Sequence, residues 1–166
     1  MLSAISTAAG FVAGEESFSP AAYWDVNGYA IGYGNHYYQD GSPVGQFDTI
    51  EHSDAVDLMT YYLQQQIDQL LPQLQVNLNS NQLAALASIR YNAGSITTTL
   101  LNLINSGAAT DEVAAQIRVT EVTSGGQPSA VVQARRNREA ELYATNPALP
   151  LIGVALAALV LFFLVR

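Results

Sequence analysis

The stretch from Tyr23 to Tyr38 most constrains the fold. Aromatic and β-favouring residues there are interrupted by Gly28, Gly32 and Gly34, and Asp40-Gly41 adds a turn signal. Such a pattern cannot continue the helical periodicity on either side of it, so a small sheet is expected between Asp25 and Val44. Before it, Ile5, Ala8, Ala9, Phe11 and Val12 recur at helical spacing from about Ser3 to Gly14. After it, Ala55, Val56, Leu58, Met59, Tyr62, Leu63, Ile67 and Leu70 predict a helix from about Ser53 to Leu74, stopped near Pro72. Apolar stripes continue over 81–91, 97–104, 111–119 and 131–143, with Asn92, Gly94 and Gly107 at helix ends and Ser124 to Pro128 as a loop. The fold class is α+β, mainly helical. A small sheet lobe set against a helical lobe leaves a cleft suited to a polymer.

Composition narrows the chemistry. The net charge is −8, lysine is absent, and the cations are Arg90, Arg118, Arg135, Arg136, Arg138 and Arg166. Non-specific nucleic-acid binding depends on neutralising phosphates, so nucleic acid is not an expected partner. There is no cysteine for a disulfide or a thiolate metal site, and His36 and His52 cannot make a strong metal site alone. No metal or cofactor is expected.

Residues 1–145 fit one domain, and residues 146–166 differ in character. From Ala148 to Val165 the chain carries no charge, and Arg166 follows. A run of this kind suits a membrane-spanning helix, because the polar face of a buried amphipathic helix is missing. Pro150 falls in its first turn, where a lost N–H costs little. The N-terminus lacks the basic segment and continuous apolar core of a signal peptide. The expectation is a single-pass C-terminal anchor in a lipid bilayer.

Glu16 lies at the expected end of the first helix, and Asp25 follows after eight intervening residues that include Pro20 and Tyr23. That turn-length excursion lets both carboxyl groups point into one cleft. Acid-catalysed glycoside cleavage needs such a pair, one group protonating the leaving oxygen and the other positioning water, about 6.5–9.5 Å apart in inverting enzymes. The acid is expected in a partly apolar pocket that disfavours its charge.

Glu16, Tyr23, Asp25, Gly28 and Ile31-Gly32-Tyr33-Gly34 occur in the order found in the phage-type lysozymes, the endolysins or muramidases of glycoside hydrolase family 24, which this chain resembles. Two further patches match: Asn81 to Gly94 is similar to that family's central buried helix, and Arg135-Arg136-Asn-Arg-Glu139 to its late helix. The resemblance covers nearly all of residues 3 to 143. It implies a lysozyme-like two-lobed domain, cleavage of bacterial peptidoglycan, Glu16 and Asp25 as catalytic residues, and Glu15 as a solvent-facing neighbour. The late arginines are expected to pair with acidic residues, with an approach of Arg135 or Arg136 to Glu16 as the alternative.

The departures from the family pattern open a mechanistic fork. Ala30 stands where relatives have a catalytic Thr, and a methyl group cannot position water. Ser17 replaces a Gly, and Asn35 replaces a His that is displaced to His36. In a β-strand that one-residue shift turns the side chain to the opposite face, so His36 is not expected to substitute. Ser19, Asn27, Tyr29 and Asn35 are the polar candidates for holding water. Hydrolysis is the leading expectation. A lytic transglycosylase using Glu16 alone is the alternative, and a degenerate fold serving as a structural or wall-binding virion protein is the rival class. The anchor places the activity in the membrane of a phage virion, with other virion proteins as partners, or in the host cell membrane.

Overall fold

Glycine decides where the small lobe bends. The computed structural model describes residues 1–147. In it β1 (Ser19–Asp25) and β2 (Gly28–Gly32) form an antiparallel hairpin that pairs Tyr23 with Ala30 and Asp25 with Gly28. At Gly32 (φ +65) and Gly34 (φ +88) the backbone enters a region other residues rarely adopt, and the chain folds back so that Ile31 and Asn35 exchange two backbone hydrogen bonds of 3.0 Å. Gly32 also lies against Ala55, where a Cβ would come within 3.0 Å of the Ala55 Cβ.

This corrects the expected position of the sheet. The hairpin begins earlier, at Ser19, and residues 33–50 contribute only isolated bridges, Tyr37 with Pro43 and Ala21 with Thr49. Backbone bonds from Ala22 N to Asp48 O and from Ile50 N to Pro20 O, both 2.9 Å, hold β1 extended although Pro20-Ala21-Ala22 has no β preference.

The helices follow the apolar periodicity closely: α1 (Leu2–Glu15), α2 (His52–Leu70) running into a 3₁₀ turn (Leu71–Gln73), α3 (Ser80–Ala93), α4 (Thr98–Asn105), α5 (Thr110–Val119) and α6 (Ala130–Ala144). Between α5 and α6 the expected loop contains a minimal hairpin, β3 (Thr123–Ser124) with β4 (Gln127–Pro128), closed by Gly125-Gly126. Among the described residues no helix is long and apolar enough to cross a membrane. The run from Ala148 to Val165 lies outside the described residues.

Helix α3 is buried on almost every side. Ala84 and Ala87 meet α1 and α2 beside Ala8, Val12, Met59 and Leu63, while Ala85, Leu86 and Ile89 join Leu100, Val113, Ile117 and Tyr143 in the helical lobe. Alanines let the neighbouring backbones approach closely. The helix starts from a reciprocal cap, in which Asn79 Oδ1 accepts from Gln82 N at 3.0 Å and Gln82 Oε1 accepts from Asn79 N at 2.9 Å. Helix α2 links the lobes: its Leu58 packs with Ile31 and Val44 under the hairpin, and its Met59 and Leu63 face α1 and α3.

Burial also sets the alkaline limit of the fold. It pushes the Tyr143 phenol up to about 12 and raises Tyr91 as well. An unfolded phenol titrates near pH 10, at roughly its reference value. The native state therefore favours the neutral phenol; the resulting stability is complete below about pH 10 and falls as pH rises through the native value. Tyr143→Phe is expected to shift alkaline unfolding, followed by circular dichroism, to higher pH than wild type. A shift to lower pH would contradict this origin of the limit.

Candidate active site

Two consecutive glutamates close α1, and α6 sorts them. Glu16 leaves the helix with extended backbone (φ −101, ψ 136), its N–H still bonded to Val12 O. Its Oε1 accepts from Arg135 Nη1, whose side chain is 7 % exposed. Glu16 Oε2 has no partner among the described residues. Glu15 is not solvent-facing as expected: its side chain is 8 % exposed and forms a two-pronged pair with Arg138, 2.6 Å at both oxygens. Turned toward α6 from the last turn of α1, Glu15 is shielded by the Arg138 guanidinium.

Behind Arg135 lies a buried polar network. Arg135 Nε donates to Glu139 Oε1 at 3.1 Å, and Arg136 Nη1 donates to Glu139 Oε2 at 2.6 Å. Ser88 Oγ donates to Glu139 Oε1 at 2.7 Å. Arg136 also donates to Thr120 O at 3.0 Å and to Asn92 Oδ1 at 2.9 Å. Glu139 is fully buried. Both roles considered for the late arginines are therefore present, and Arg135 fills both at once. The i, i+4 spacing of Arg135 and Glu139 and the i, i+3 spacing of Arg136 and Glu139 were the sequence signal for this network.

Asp25 ends β1 beside the hairpin turn. Its Oδ1 accepts from the N–H of Val26 at 2.7 Å, and its Oδ2 lies 3.3 Å from His36 Nε2. Strand parity does not govern the position of the His36 ring. His36 does not follow an extended strand; it follows the fold-back between Ile31 and Asn35, which returns its ring to the end of the hairpin. There Nδ1 is 3.1 Å from the carbonyl oxygen of Tyr29.

Tyr23 links the two carboxyl groups electrostatically. Its pKa is raised first by burial, then by the charges of Asp25 and Glu16, so its phenol lies in the field of both. Tyr23 and Asp25 are two positions apart on β1 and share a face. Tyr91, from α3, lies 2.9 Å from Tyr33 O and 3.1 Å from Asn35 Oδ1, tying the helical lobe to the fold-back.

Ala30 is fully buried, opposite Tyr23 in the hairpin. Of the polar candidates for holding water, Asn35 is buried against Tyr91, and the Ser19 hydroxyl donates to Ala21 O at 2.7 Å. The Tyr29 ring meets Trp24 edge-on, with centroids 5.2 Å apart. Asn27 lines a cavity of about 200 Å³ that includes Tyr29, His36 and Tyr37. His36 also lines a cavity of about 180 Å³ with Tyr62, Gln66 and Tyr91. A cavity of about 620 Å³ lies between Tyr38, Asp40, Glu51 and Leu58, and is lined by neither Glu16 nor Asp25. A long polysaccharide is cut in an open groove, so the chemistry is assigned by the carboxylates and not by cavity size.

The fold carries a helix-end glutamate held by a buried arginine, and an aspartate at the end of the strand that follows. The phage lysozyme family model matches residues 13–139, and the chain belongs to that family of glycosidases. Its fold is the mainly helical, lysozyme-like α+β fold with a small antiparallel sheet. A crystal structure of phage P22 lysozyme is similar over 84 % of this chain and 97 % of its own, with 28 % identity and a TM-score of 0.70. An endolysin from Escherichia coli O157:H7 phage FAHEc1 is 24 % identical over 86 % of this chain and 94 % of its own, with a TM-score of 0.73. The muramidase domain of SpmX from Asticaccaulis excentricus shares the fold at 22 % identity, covering 84 % of this chain and 95 % of its own, with a TM-score of 0.69. Comparison of the sequence with curated proteins gives no significant match.

Proposed function

We propose that this glycosidase hydrolyses the β-1,4 bond between N-acetylmuramic acid and N-acetylglucosamine in bacterial peptidoglycan. Glu16 is the general acid and Asp25 positions water or stabilises the positive charge that develops on the sugar. The observation that carries this assignment is the contact between Arg135 and Glu16. It fixes one oxygen of the carboxyl group and leaves Oε2, which has no partner among the described residues, to face the leaving oxygen. The P22 lysozyme similarity and the muramidase domain of SpmX support peptidoglycan as the substrate class.

One observation favours a second reading. Ala30 offers no polar group, and Asn35, one of the positions considered for holding water, is buried and bonded to Tyr91. A lytic transglycosylase needs no such water, because the sugar's own hydroxyl attacks. Mass spectrometry of products from purified peptidoglycan separates the two: reducing-end muramic acid is expected, and anhydro sugars would overturn hydrolysis. Absence of clearing in a zymogram, with wall binding retained, would sink the enzymatic role and leave a wall-binding module.

We also read residues 148–165 as a bilayer anchor, on the strength of their uncharged apolar sequence. That places the enzyme on the membrane of a phage virion during genome delivery, or on the host membrane. The full chain is expected to float with liposomes and a chain ending at Asn146 to remain behind. Equal behaviour of the two would remove the anchor.

A further inference from the structure

We propose that His36 is a positioning residue for Asp25, bridging the carboxylate to the Tyr29 carbonyl from the turn that follows β2. The inference rests on the assignment of Asp25 to the catalytic pair. Nδ1 lies 3.1 Å from Tyr29 O and Nε2 lies 3.3 Å from Asp25 Oδ2. The ring is thus held to the Tyr29 carbonyl on one side and lies against the Asp25 carboxylate on the other.

The clamp matters because Asp25 is otherwise loosely held. Its side chain is 46 % exposed and that of His36 is 29 % exposed. The remaining partner of Asp25 is the N–H of its own neighbour Val26, at 2.7 Å to Oδ1. One local bond leaves the carboxylate free to turn about its last torsion. The His36 ring, anchored to β2 through the Tyr29 carbonyl, lies against the other oxygen and limits that turn. Ala30 offers no polar group on this hairpin, so the fold-back at Gly32 and Gly34 brings in from another direction what the strand lacks.

The test uses the full chain on purified peptidoglycan, with Glu16→Gln as the inactive control. His36→Phe is expected to lower kcat by roughly tenfold to a hundredfold, the scale of a misplaced catalytic group, with KM changed less than about threefold. His36→Gln supplies an amide donor of similar reach and is expected to recover most of kcat. Thermal melting confirms that both variants fold. If Glu16→Gln is inactive while His36→Phe matches wild type, or if His36→Gln is no more active than His36→Phe, the positioning role is overturned and the assignment of Glu16 stands. If wild type shows no turnover, both fall.

Discussion

Glu16→Gln lowers peptidoglycan turnover by about a hundredfold to ten-thousandfold, the range over which a positioned general acid contributes. Glutamine matches the shape of glutamate and keeps an oxygen for Arg135, but it has no proton to give the leaving oxygen. The fold is expected to tolerate the change. Arg135 still bonds Glu139 and Ser88, so its charge is not stranded when Glu16 becomes neutral. Dye release from labelled cell walls, read beside a thermal melt, checks both halves. A folded variant retaining more than about a tenth of the wild-type rate would remove Glu16 from the acid role.

Glu139→Gln has the largest expected effect on stability. Glu139 is fully buried and neutralises two guanidiniums, at 3.1 Å from Arg135 Nε and 2.6 Å from Arg136 Nη1. Removing its charge leaves two buried cations and one carboxylate, Glu16, that itself reaches solvent. Breaking a buried ion pair from one side costs about 3–5 kcal/mol. With a urea dependence of about 1–3 kcal/mol per molar, the denaturation midpoint is expected to fall by one to several molar. A loss below about 1 kcal/mol, the scale of a surface ion pair, would mean that water or a rearranged arginine replaces the carboxylate. Catalysis should decline in the same variant, because Arg135 loses the partner that aims it at Glu16.

Much of this architecture was legible in the sequence, for physical reasons that also mark where legibility ended. The helices α1, α2, α5 and α6 bury one side, so their apolar spacing is visible. Helix α3 buries almost all sides with alanines, and its apolar run over 81–91 was legible together with the helix-end signals at Asn92 and Gly94. Strand β1 was set too late because Pro20-Ala21-Ala22 has no strand preference; bonds to Asp48 and Ile50 impose the extended form. Glu16 and Asp25 were chosen by spacing and resemblance, and their surroundings were not readable. Which of Glu15 and Glu16 meets Arg135, and which meets Arg138, depends on how α6 is rotated against α1. His36 was set aside by counting alternate residues along a strand, a rule that lapses where glycine turns the backbone. The chemically informative contacts in the site are those that join distant segments.

The bond between Arg135 and Glu16 spans 119 positions of sequence. As the chain leaves the ribosome, α1 and the hairpin emerge long before α6, so the proposed acid is made early and aimed late. A chain interrupted before α6 has the carboxyl pair but neither the guanidinium nor the buried network that orients it.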